Sequence, residues 1–141
     1  MSIEQTASFH IAMALRAHRN LMALQLAALD PPLYVGQELI LGQLWKEQGV
    51  TQSCLAERVG IDASTMTKAL QRLERYGLIE RRPDAQDTRA SRVFLTAQGQ
   101  ALEPVIAAVW AAVEAQTVAG FTPDEADQLN YYLERIARNL T

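Results

Sequence analysis

Six residues within nine positions, Ser64, Thr65, Thr67, Lys68, Gln71 and Arg72, carry hydroxyl, amide, ammonium and guanidinium groups. Such a set makes hydrogen bonds and charge contacts. Arg and Lys donate to guanine acceptors or to phosphates, Gln pairs with adenine, and Ser or Thr meets either a base or a phosphate. An isolated solvated helix face has the same composition, so the residues alone do not decide between the two readings. Arg89 follows the turn formers Pro83-Asp84-Ala85-Gln86-Asp87-Thr88. It is either a solvated turn charge or, at the tip of a basic hairpin, a group suited to a minor groove.

Other chemistries find little support. There is no Ser/His/Asp or Cys/His spacing, no Gly-rich phosphate loop and no carboxylate pair in a catalytic context, so neither enzymatic activity nor a cofactor is expected. His10 and His18 lie eight apart on different arcs of one helical pattern, which does not make a metal site within one chain. Cys54 is the sole cysteine. It reads as a small buried hydrophobe rather than a redox group, and it excludes an internal disulfide.

The net charge of −3 hides an asymmetry. Residues 51–100 hold eight Lys or Arg against six acids, while the remainder holds five against ten. A polyanion responds to the local field at the contact surface, so the acidic total does not exclude nucleic acid. The chain begins with a polar stretch, lacks a signal-type apolar region and has no apolar run near the length of a membrane span, which predicts a cytoplasmic protein that does not enter a membrane.

The elements that must position these groups can be read from periodicity. Residues 3–29 contain no Pro or Gly and predict a long first helix, stopped by Asp30-Pro31-Pro32. Met13, Ala17, Leu21, Leu24 and Ala28 form one apolar stripe, and Ile11, Leu15, Met22, Leu26 and Leu29 a second on the other side. A helix apolar on two sides needs two partners, which predicts its own domain on one side and a second copy of the chain on the other. A second helix covers about 36–47. A third, capped by Thr51, ends before Gly60, and a fourth, capped by Asp62, spans about 63–76 and stops at Gly77. Two short strands, 78–82 and 92–95, then make a hairpin. Thr96 is expected to cap a helix running to about residue 119, and Thr122-Pro123 opens a last one.

A short helix, a tight turn, a polar second helix and a hairpin, in that order, form a winged helix-turn-helix. The fold class is therefore mainly α with a small β-wing (α+β), a single unit over 1–141. Residues 33–98 would form the DNA-binding part, and 1–30 with 99–141 the dimerisation helices.

The sequence resembles the multiple antibiotic resistance regulator (MarR) family. The likeness rests on Thr51-Gln52, Leu55-Ala56-Glu57-Arg58-Val59-Gly60-Ile61-Asp62, Ser64-Thr65-Met66-Thr67 and Leu73-Glu74-Arg75-Tyr76-Gly77-Leu78-Ile79. It continues through Arg82, Asp84, Asp87, Arg89 and Leu95-Thr96 with Gly99. Tyr34 stands where the family often has Thr, and Cys54 where it often has Glu, which removes half of a capping box at Thr51.

The resemblance implies a homodimer that binds double-stranded DNA at a pseudo-palindromic operator as a ligand-responsive transcriptional regulator, most often a repressor. Arg89 would enter the minor groove with Asp87 holding it. A small aromatic or phenolic effector would bind between the dimer helices and the winged part, with His10, Arg16, Tyr34 and Trp45 as candidate contacts chosen by position and chemistry. Two other readings stay open: a winged-helix protein-interaction module, and a small-molecule-binding dimer that ignores DNA.

Overall fold

The computed structural model describes residues 1–141. The chain opens with a single 3-10 turn, Ile3–Gln5, and then α1, Ala7–Ala27. The expected continuous helix from residue 3 is broken at Thr6, whose backbone is extended and whose side chain accepts from the Phe9 amide. A capping hydroxyl outcompetes helix continuation at that position.

Of the two stripes on α1, only one is satisfied within the chain. Met22 and Leu26 are buried and Leu29 packs against the core, but Leu15 of the same stripe stays exposed. From the other stripe Leu21 reaches the core edge, whereas Met13 is exposed and Leu24 is 71% exposed. The outer side of the helix is unpartnered.

Helix α2, Gln37–Lys46, buries Ile40, Leu41 and Leu44. A two-residue strand β1, Val50–Thr51, leads into α3, Gln52–Val59, which starts where Thr51 accepts from the Cys54 amide. Gly60 ends α3 at φ +80°, a conformation that glycine takes without penalty. Helix α4, Ala63–Arg75, turns Met66, Leu70 and Leu73 fully inward. Each such burial stabilises by about 1.5–3 kcal/mol.

Strands β2, Ile79–Pro83, and β3, Ser91–Leu95, form the expected hairpin, and β1 adds a third strand that was not expected. The sheet order is β1-β3-β2, all antiparallel, with Val50 opposite Val93 and Arg82 opposite Arg92. Two facing arginines would repel. They are drawn apart: Arg92 donates to the Gly49 carbonyl at 2.6 Å and pairs with Asp84 at 3.2 Å, while Arg82 pairs with Glu80 and lies 4.1 Å over the Phe94 ring.

The helix expected from Thr96 to about residue 119 is two helices, α5, Ala97–Ala101, and α6, Glu103–Thr117. Pro104 has no amide to continue the ladder, so it sits in the first turn of a new helix. Helix α7, Pro123–Leu140, is opened by Thr122 with a full capping box to Glu125. No residue of α7 is buried, and Phe121, Tyr131, Tyr132, Leu133 and Leu140 present apolar surface to solvent.

Candidate nucleic-acid interface

The polar helix is set by its first turn. Asp62 accepts from the Thr65 amide, the Thr65 hydroxyl and the Ser64 hydroxyl, each at 2.8 Å. The Thr65 amide, then the two hydroxyls, hold the Asp62 carboxyl down at about 2, so it stays ionised at the positive end of the α4 dipole.

These bonds have a consequence for recognition, because a hydroxyl has a single proton to donate. Ser64 and Thr65 spend theirs on Asp62. Thr67 donates to the Ala63 carbonyl and accepts from the Gln52 amide at 2.7 Å, which pins α4 to α3. With that proton spent each hydroxyl offers only acceptor capacity, which suits an amino or amide donor and not an ionised phosphate.

Lys68 and Gln71 are exposed and lie one helical turn apart on the outer side of α4. Arg75 is exposed as well and extends their line by one more turn. It belongs to the arc that periodicity defines, although it was not among the expected contacts. The sequence signal was its spacing of four residues from Gln71.

Arg72 is directed elsewhere. Its guanidinium lies 3.5 Å from the Tyr34 ring centroid and 5.3 Å from that of Tyr76, and it donates to the Tyr76 hydroxyl at 2.9 Å. Its Nε is buried with no partner. Arg72 thus shares a cleft with Lys68 and Arg75, but its guanidinium is engaged by the two tyrosines rather than free in solvent.

At the wing tip, Arg89 is the most exposed of the paired arginines, with 92% of its side chain in solvent. Asp87 accepts from its backbone amide at 3.1 Å and faces its Nε at 3.3 Å. A cleft of about 340 Å³ separates this tip from the helices, lined by Gln52, Ser53, Ala63, Asp87, Arg89 and Ser91. Its walls are the start of α3 on one side and the wing on the other.

The four candidate effector contacts do not line one cavity within a chain. His10 is exposed and bonds the Thr6 carbonyl through Nδ1. Arg16 lies in a shallow groove on α1 with Leu15 and Arg19. Tyr34 belongs to a cleft against α4. Trp45 donates to the Gly99 carbonyl at 3.0 Å and borders a cleft of about 320 Å³ between α2 and α6, with Trp110 and Glu38.

Glu38 was not anticipated, since the sequence offers no local sign that an acid there is buried. It is 2% exposed. Burial raises its carboxyl above the usual range, against the opposing effect of the Gly36 amide, which donates to it at 2.5 Å. No cluster of three or more His, Cys, Asp or Glu is placed to hold a metal ion, and no helix is long and apolar enough to cross a membrane.

Comparison with known proteins agrees with this architecture. A model of the MarR family matches residues 33–91. The chain is 28% identical over 130 residues to the uncharacterized HTH-type transcriptional regulator YybA of Bacillus subtilis (strain 168), covering 92% of this chain and 85% of that protein. The PcaV transcriptional regulator from Streptomyces coelicolor, solved in complex with its natural ligand, superposes with a TM-score of 0.87 at 27% identity, over 100% of this chain and 99% of that one. The S. aureus MepR-DNA complex gives a TM-score of 0.85 at 27% identity, over 95% and 98%.

Proposed function

The chain belongs to the MarR family of winged helix-turn-helix transcriptional regulators, and from that premise we propose that it acts as a homodimeric, ligand-responsive repressor in the cytoplasm. Residues 33–98 read the DNA, and 1–30 with 99–141 hold two chains together. The observation that carries this reading is the disposition of α4 and the wing. Lys68 and Arg75 flank Gln71 on an exposed line along one helix, and Arg89 stands clear at the hairpin tip across a cleft of about 340 Å³. The chain is a regulator rather than a catalyst.

Each α4 occupies a major groove, and each Arg89 enters the neighbouring minor groove, held by Asp87. Ser64, Thr65 and Thr67 meet the DNA at the start of the helix. The unpartnered side of α1 and the apolar side of α7 bury against a second copy, which places the two reading heads about 34 Å apart. The PcaV structure, solved with its natural ligand, supports a ligand-responsive regulator, and the effector is a small aromatic or phenolic molecule suited to the indole rings of Trp45 and Trp110. It is accommodated at the joint between α2 and α6 beside Trp45 and Trp110, with His10, Arg16 and Tyr34 contributing only where the dimer brings them near. An effector that prefers a conformer with altered spacing of the heads releases the operator.

A fluorescence anisotropy titration against duplex DNA from upstream of its own gene, with and without aromatic acids, tests both halves. Nanomolar, salt-sensitive binding weakened by an effector is expected. Absence of salt-dependent duplex binding rejects the reading and favours a protein-interaction module or a dimer that only binds metabolites.

A further inference from the structure

We propose that the Tyr34 ring withholds Arg72 from DNA, making Tyr34, on the loop before α2, a specificity-determining residue of the recognition helix. The proposal rests on the DNA-binding reading above and goes beyond it. By sequence Arg72 is placed one turn after Lys68, where an arginine ordinarily reaches a phosphate or a guanine. In the structure the guanidinium is instead roofed by Tyr34 at 3.5 Å and flanked by Tyr76, whose hydroxyl accepts from Nη2 at 2.9 Å.

Three features make this arrangement a lock rather than a passing contact. Arg72 Nε is buried without a partner, a cost that the stacking on Tyr34 and the bond to the Tyr76 hydroxyl must outweigh. The loop that carries Tyr34 is tied down, since its amide donates to the buried Gln37 side chain at 2.9 Å and the Gly36 amide donates to buried Glu38. Tyr34 is itself 61% exposed, so its ring stabilises no core and its main contact is the cation beneath it. A threonine at this place has no ring to cover the guanidinium. Arg72 would then swing outward to join Lys68 and Gln71, adding a cation to the contact surface.

The test is a double-mutant cycle read by the salt dependence of duplex binding. Operator affinity is measured by anisotropy across a potassium chloride series for wild type, Tyr34→Phe, Tyr34→Thr, Arg72→Gln and the Tyr34→Thr/Arg72→Gln double variant. One additional phosphate contact steepens the slope of log K against log salt by about 0.9. Tyr34→Thr is expected to steepen it by that amount, Tyr34→Phe to keep the wild-type slope, and Arg72→Gln to flatten the slope in the Tyr34→Thr background far more than in the wild type. The free protein gives a second readout: the Arg72 Nε–H resonance is ring-shifted and slow to exchange in wild type and Tyr34→Phe, and loses both properties in Tyr34→Thr.

Equal flattening by Arg72→Gln in both backgrounds overturns the proposal, as does a Tyr34→Thr slope identical to wild type, with the DNA-binding reading intact in either case. A wild-type protein that binds no duplex, whatever its Arg72 resonance, overturns both.

Discussion

Asp87 grips Arg89 at its base and leaves its tip free. The carboxylate accepts from the Arg89 amide at 3.1 Å and faces Nε at 3.3 Å, so the two terminal nitrogens project from the wing into solvent. A cation held this way has part of its rotamer freedom already removed before any groove is met, and the exposed pair itself adds little to stability. Arg89→Ala should weaken operator binding about 10–100-fold, flatten the salt slope by about one and leave the melting temperature unchanged. Anisotropy and circular dichroism measure both effects.

The bare apolar side of α7 predicts the outcome of a charge placed on it. Leu133 is exposed in the single chain beside Tyr132, and Leu129 and Ile136 flank it at helical spacing. Leu133→Asp should convert the dimer to monomer by light scattering. Because two half-sites are then no longer bound together, operator affinity should fall roughly 100-fold or more. An unchanged dimer would place the interface elsewhere.

Gly99 is where α5 presses on the wing. A Cβ built there would lie 2.0 Å from the Leu78 carbonyl oxygen, a backbone atom that cannot step aside. The same glycine accepts the Trp45 indole through its carbonyl and receives the Thr96 cap at its amide. Gly99→Ala should destabilise by about 1–3 kcal/mol, seen as a lower urea midpoint.

Two carboxylates make opposite contributions to the pH dependence of folding. Burial favours the neutral form of Glu38, so the folded chain keeps a proton that the unfolded chain releases, and stability falls as pH rises above about 4.5. Asp62 is held at about 2, so its contribution is complete above 3.8 and disappears as pH drops toward 2. Glu38→Gln should match wild type in melting temperature near pH 4 and exceed it at pH 7.5. A difference independent of pH would contradict the burial argument.

Local signals were legible and distant ones were not. Asp62, Gly60, Gly77 and Thr122-Pro123 mark their helix ends within a few residues, and the structure places the ends there. The break at Leu102 was equally local but hidden by the apolar periodicity that runs across Pro104. Strand β1 exists only because Val50 pairs with Val93, far along the chain, and two residues carry no pattern of their own. The outward line of Lys68 and Gln71 follows from helical geometry. The Arg72 guanidinium departs from it because a tyrosine on the loop before α2 covers it, and no short window of sequence contains both. The buried Glu38 is of the same kind, since its surroundings are assembled from α2 and α6.

In the proposed dimer, two chains hold two α4 helices at the pitch of B-form DNA. Once an operator has been selected from random duplexes, insertion of 5 bp between its half-sites puts the second major groove on the opposite side of the helix. Anisotropy titrations of the two duplexes should show affinity for the spaced operator collapsing to that of an unrelated sequence, with a 10 bp insertion restoring at most part of it. Equal affinity for the native and the 5 bp-spaced operator would contradict the account.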